Sequence, residues 1–158
     1  MQPLAEIRAF LQLSNRVATS GQPTAEQFAA VKDAGYEIVV NLALATSPDA
    51  LADEEAIVTQ QGLDYTHIPV IWEAPQAADF AQFMATMQAH QDQKVFVHCI
   101  ANKRVSAFMY LYRRYTNTVE PERAWQDLQR IWTPNEVWQQ FIEQMTRQLP
   151  PTGKPLAD

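Results

Sequence analysis

The sequence predicts an α/β domain with a mostly parallel central sheet of about four to five strands and helices on both faces. Three observations carry that expectation. Short β-branched segments alternate along the chain with segments of helical periodicity, the pattern of parallel strands joined by helical crossovers. EIVVNL (37–42) and VFVHC (95–99) are nearly continuous apolar runs, as strands covered on both faces require. The 158 residues, 47% of them hydrophobic, match the size of one domain and can bury a core without disulfides or metals.

The elements follow in order. RVATS (16–20) reads as a short strand, and Gly21-Gln22-Pro23 turns the chain. A helix starts at Thr24, because Thr24 and Gln27 form a capping-box pair. Ala25, Phe28 and Val31 give it an apolar face, and Gly35 stands where a left-handed C-terminal residue is wanted. After strand 37–42, a helix over 49–61 follows Ser47-Pro48, carries Leu51 and Ile57, and stops at Gly62. Strand 64–70 comes next. A helix over 76–90 places Phe80, Phe83, Met84 and Met87 at i, i+3, i+4 and i+7. Strand 95–99 leads into a helix over 105–114 with Phe108, Leu111 and Tyr112 on its apolar face. Two more helices are expected. One begins at Pro121 and carries Trp125, Leu128 and Ile131. The other is capped by Thr133 and Glu136 with Pro134 in first position, and carries Trp138, Phe141, Ile142 and Met145. Residues 1–149 form the single expected domain. The segment 150–158, rich in proline with little to bury, reads as a flexible tail.

Charge and cysteine usage narrow the function classes. Eighteen acids against twelve bases give a net charge of −6. That argues against a general nucleic-acid or anionic-membrane binder, which needs a basic face, and leaves room for a small basic pocket. Cys99 is the single cysteine, which removes intramolecular disulfides and thiolate clusters together. His67, His90 and His98 fit no zinc spacing, so neither a metal nor a cofactor is expected. MQPLAEIRAFLQ lacks a basic region followed by an apolar run, and no stretch has the roughly 20 apolar residues of a membrane span. The chain therefore reads as soluble and cytoplasmic.

One strand end carries chemistry. In VFVHCIANKRVSAF (95–108) a cysteine leaves a buried strand, a short polar loop follows, and a helix begins within a few residues. Such a turn aims several backbone N–H groups and the positive end of a helix dipole at one spot. That spot stabilises a thiolate and binds an anion, so Cys99 is expected to be acidic and close to any bound oxyanion. Arg104 adds a planar, permanently charged fork suited to phosphate oxygens.

The string His-Cys-x-x-Asn-x-Arg-x-Ser resembles the signature loop of the cysteine-dependent protein tyrosine and dual-specificity phosphatases. SGQPT (20–24), AG (34–35), VVNL (39–42), GLDYTHIPV (62–70) and HCIANKRVSAFMYLYR (98–113) are similar in order and spacing to a bacterial branch of small phosphatase-like domains, over roughly residues 15–115. The resemblance implies a dual-specificity phosphatase-like fold and hydrolysis of a phosphate monoester. Cys99 is then the nucleophile that forms a phosphocysteine, and Arg104 holds the equatorial oxygens with the N–H groups of Ile100, Ala101, Asn102, Lys103 and Val105. Ser106 steadies the thiolate through its hydroxyl, and His98 orients the loop. Asn102 stands where the family has glycine, and is the next best residue for a left-handed backbone.

Two features depart from the family pattern. Four residues separate Cys99 from Arg104 where the family has five, although Ser106 keeps its place. The general acid, an Asp in the family, falls on the loop Ile71-Trp72-Glu73-Ala74-Pro75, where Glu73 is the natural substitute. Asp79 belongs to the first turn of the next helix, where the dipole favours an acid in any case. Trp72 is placed to wall the pocket, while Trp132 and Trp138 are assigned to the core. Gln22 and Asn41 could line the same crevice, or be a turn amide and a buried amide bonded to backbone. Arg113 and Arg114 are read as cations complementing a helix C-terminus. The expected partner is a phosphorylated protein or small phosphate ester. A non-catalytic phosphate-binding domain and a rhodanese-type sulfurtransferase, whose loop has the four-residue spacing, are the alternatives.

Overall fold

The computed structural model describes residues 3–149, and the expected tail lies outside them. A five-stranded sheet runs in the order β1-β2-β5-β3-β4, with β1 Leu11–Gln12, β2 Val17–Ser20, β3 Ile38–Asn41, β4 Asp64–His67 and β5 Val95–His98. All neighbours are parallel except β1, which pairs antiparallel with β2. The two-residue β1 has no periodic signal to read, and pairing with β2 is what makes it a strand.

Side-chain alternation splits the core into two layers. Ile38, Val40, Val95 and Val97 face one side, against α3 (Ala77–Ala89), α4 (Lys103–Thr116) and α6 (Glu136–Thr146). Ala18, Val39 and Phe96 face the other, against α1 (Ala25–Asp33) and α2 (Glu54–Gln60). The continuous apolar runs in β3 and β5 follow from this, since both faces of these strands are buried. Phe108 on α4 sits among the rings of Phe80, Phe83, Trp138 and Phe141 at centroid separations of 5.5–6.1 Å. The remaining helix, α5 (Pro121–Gln129), packs on α4.

Several boundaries differ from expectation for local reasons. The Thr24–Gln27 capping box is present, and Gly35 has φ 95° at the end of α1. Residues 49–53 are not helical, because Asp53 takes a left-handed conformation (φ 58°) and α2 starts only at Glu54. β4 stops at His67, while Ile68 and Val70 still donate backbone hydrogen bonds to Asn41 and Leu42. Helix α4 starts two residues before its predicted start and runs on to Thr116. The cap of α6 is Asn135, whose side chain accepts from the Trp138 N–H, so Thr133 and Pro134 lie outside that helix.

Register places the last residues of the parallel strands side by side. Ser20 pairs with His98, His98 with Asn41, and Asn41 with His67. A row of polar residues therefore crosses the carboxyl edge of the sheet, where ligands bind in open α/β sheets. No described helix is long and apolar enough to cross a membrane.

Candidate active site at the carboxyl edge of the sheet

Cys99 follows the last residue of β5 and is 1% exposed. The loop 99–102 then delivers the chain to α4 through Asn102, which has φ 65°. The expected left-handed backbone is thus present, and Asn102 adds what glycine could not. Its Nδ2 donates to the Ala9 carbonyl (2.8 Å) and the Thr19 hydroxyl (3.0 Å), tying the loop to β2 and the segment before it.

The loop's donors are largely unspent. The Cys99 N–H is used by Ser20 O and the Ser106 N–H by Asn102 O. Between them, the N–H groups of residues 100–105 donate to no protein acceptor among the described residues. A helix start alone leaves its first donors free; here the preceding loop adds three more. The loop's outer side is held by the turn after β2. The Gln22 N–H donates to Ile100 O (3.0 Å), and a Cβ at Gly21 would collide with that same carbonyl and lie 3.2 Å from the Ala101 Cα. Glycine is required there by the close approach of two backbones.

The cations are disposed differently from one another. Arg104 is buried, with Nη1 donating to the Val70 carbonyl (2.9 Å) and its guanidinium carbon 6.0 Å from the Trp72 ring centroid. One of its five donors is spent on that bond, leaving the others. Lys103 lies with Nζ 5.5 Å from the Trp132 ring. Ser106 does not bond the thiol. Its hydroxyl donates to Lys103 O (2.7 Å) and accepts from Trp132 Nε1 (3.0 Å), so it fastens the loop exit to the chain between α5 and α6. Trp132 is consequently half-buried on the rim rather than in the core, with its ring 5.3 Å from Trp72. Trp138 is fully buried and donates to Trp72 O.

On the loop after β4, Glu73 is exposed and has no hydrogen-bond partner among the described residues. Asp79 is committed to capping α3, accepting from the Gln76 N–H at 3.1 Å. Arg113 is buried in an ion pair with Asp127, which replaces the expected dipole role, and Arg114 donates to the Tyr110 hydroxyl.

Behind the cysteine stands a buried network that the sequence reading missed. Glu54 accepts from Gln22 Nε2 (2.7 Å) on Oε1, and from the Tyr65 hydroxyl (2.9 Å) and His98 Nε2 (2.7 Å) on Oε2. His98 Nδ1 lies 3.1 Å from Cys99 O. Asn41 donates to Tyr65 and accepts from the Ala43 N–H. Gln22 thus turns inward to Glu54 and Pro23 O. Burial pulls the Glu54 carboxyl upward, but the hydrogen bonds from His98, Gln22 and Tyr65 and the His98 charge outweigh it, holding the group below the usual carboxylate value. Burial, opposed by the Asn41 bond and reinforced by the Glu54 charge, pushes the Tyr65 phenol up, so it stays a donor. A cleft of about 570 Å³ lined by Asn41, Glu54, Tyr65 and His67 opens beside this network. The available signal for Glu54 was its i, i+4 spacing from the buried Val58, which puts both on the covered face of α2.

Residues 8–147 match the family model described as a DSP-PTPase phosphatase fused to NAD+ kinase. The chain belongs to that family. A DUF442 phosphatase-type protein from Shewanella putrefaciens CN-32 is 36% identical, with TM-score 0.84 over 92% of this chain and 95% of that one. The core catalytic domain of the PP-IP phosphatase SIW14 from S. cerevisiae shares the fold at 16% identity, with TM-score 0.71 over 89% and 90% of the two chains. The beta-lactamase hydrolase-like protein of Xylella fastidiosa (strain Temecula1 / ATCC 700964) is 30% identical over 101 residues, 60% of this chain. The match spans only 22% of that relative's length. The phosphatase family and the dual-specificity phosphatase fold read from the signature loop are therefore both present here.

Proposed function

We propose that the protein hydrolyses phosphate monoesters through a phosphocysteine on Cys99. The observation that carries this reading is the run of uncommitted N–H donors at residues 100–105, between the end of β5 and the first turn of α4, immediately after a cysteine. Three equatorial phosphoryl oxygens need converging donors, and donors fixed in advance cost no reorganisation as charge develops. The Cys99 sulfur attacks phosphorus, the bond to the ester oxygen breaks, and that oxygen takes a proton from Glu73. Water then attacks the phosphocysteine, releasing phosphate and the thiolate. Arg104 brings its remaining guanidinium donors to the oxygens, and Trp72 and Trp132 wall the entrance.

The test is turnover of an aryl phosphate by the full chain in metal-free buffer. Cys99→Ser should abolish it while inorganic phosphate still binds; unchanged turnover would sink the nucleophile assignment. Arg104→Lys should reduce kcat/KM much more than Lys103→Ala, because a planar fork is lost only in the first. The reverse ranking would make Lys103 the working cation. Phosphate binding without turnover in the wild type would establish a binding module, and Cys99-dependent sulfur transfer from thiosulfate to cyanide a rhodanese.

A further inference from the structure

We propose that Glu54 is a positioning residue for Cys99, acting through His98 to set the orientation at the root of the loop. Its activity readout rests on the phosphatase reading; its chemical readout does not.

Both ring nitrogens of His98 face oxygens: the Glu54 carboxylate at 2.7 Å and the Cys99 carbonyl at 3.1 Å. A ring carrying a proton on each nitrogen donates to both. A neutral ring protonated at Nε2 would turn a lone pair on Nδ1 toward a carbonyl oxygen. A carboxylate at Glu54 therefore anchors Nε2 and fixes the ring with Nδ1 against the Cys99 peptide, at the root of the loop.

The surroundings leave Glu54 as the charged partner bonded to this ring among the described residues. From α1 comes only the Phe28 ring, 5.7 Å away and edge-on. The flanking strands contribute Ser20 and Asn41, both uncharged, and β4 contributes the Tyr65 hydroxyl through Glu54 itself. Arg104, further along the same chain, is bonded to Val70 O. His98 is 0% and Glu54 7% exposed, so water screens the pair poorly. Asp53, directly before Glu54, has φ 58° and ψ 33°, a left-handed turn from which Glu54 begins α2. With Gln22 and Tyr65 on the same carboxylate, one side chain joins the turn after β2, the second half of the sheet and the cysteine loop.

The deciding measurement is the pH dependence of Cys99 alkylation by iodoacetate, unambiguous because the chain has one cysteine. Wild type, Glu54→Gln, Tyr65→Phe and Asp127→Asn are compared, with circular dichroism to certify folding. In Glu54→Gln the alkylation midpoint should move up by about one pH unit as the ring that holds the Cys99 peptide loses its anchor. Tyr65→Phe should move it less, in the same direction. Asp127→Asn, at a buried acid with no bond to this network, should leave it in place while lowering stability. Aryl phosphate kcat/KM should fall about 10²-fold in Glu54→Gln, as for a displaced reacting group. Folded Glu54→Gln that alkylates like wild type overturns the proposal. If Glu54→Gln does not fold, an unshifted Tyr65→Phe overturns it instead. A wild type that turns over no phosphate ester removes the phosphatase reading but leaves the alkylation comparison to decide Glu54.

Discussion

Two buried carboxylates divide the molecule between them. Glu54 on α2 and Asp127 on α5 are 7% and 5% exposed, yet their partners differ in kind. Asp127 is met by arginines only: Arg113 at 2.7 Å, and Arg123 and Arg130 at 3.4 and 3.8 Å. An arginine does not give up its proton, so the partners of Asp127 keep a fixed charge, and the ion pair docks α5 on α4. Glu54 is met by an amide, a phenol and a histidine, and the histidine is joined to the cysteine. The difference teaches that burial of an acid is no mark of function by itself; its partners must be read with it.

The comparison breaks most visibly at Asp127. Asp127→Ala leaves the Arg113 guanidinium buried and unpaired, which should cost about 3–5 kcal/mol in urea unfolding. Turnover per folded molecule should be kept; turnover lost at full stability would erase the distinction between the two acids. A smaller effect is expected beneath the cysteine loop. Gly21→Ala drives a methyl group onto the Ile100 carbonyl, and backbone on both sides has no flexible end to yield. The overpacking should cost about 1–3 kcal/mol and, unlike Asp127→Ala, should weaken phosphate binding as well. An Ala variant that binds phosphate as wild type does would mean that the contact does not shape the loop.

The smallest effect is in acid stability. The Glu54 carboxyl is held below its usual value of 4.5, so the stability it contributes is complete above that value and is lost as pH falls through the lower, folded one. Urea midpoints measured from pH 7 downward should therefore decline below about 4.5 in the wild type and decline less in Glu54→Gln. Parallel curves would show that the His98 pairing contributes no net stability.

Legibility followed the range of the interactions. The capping box at Thr24 and the apolar face of α3 depend on neighbours within four residues, and each is readable from its own segment, whereas the left-handed Asn102 came from the glycine position of the signature loop it resembles. Helix α6 shows where that fails, since Thr133 and Asn135 are both competent caps and the turn after α5 selects Asn135. The cysteine, the loop and the arginine were visible because they are contiguous. Glu54 was not, because 44 residues separate it from His98, and its i, i+4 spacing from Val58 marks a shared helix face without saying what that face packs against.

By itself the sequence determined the alternation of strands and helices, the two-faced burial of β3 and β5, and the placing of a cysteine between a strand and a helix start. These follow from side-chain period and backbone preference, which act within one segment. Only the tertiary structure decided that Ser106 bonds Lys103 and Trp132, that Arg104 leans on Val70, and that Gln22, Glu54 and Tyr65 converge behind His98. Each of those groups had several partners available by chemistry alone. Burial selected among them, because a polar group taken from water must be satisfied by whichever neighbour the packing of the sheet and its helices brings within reach.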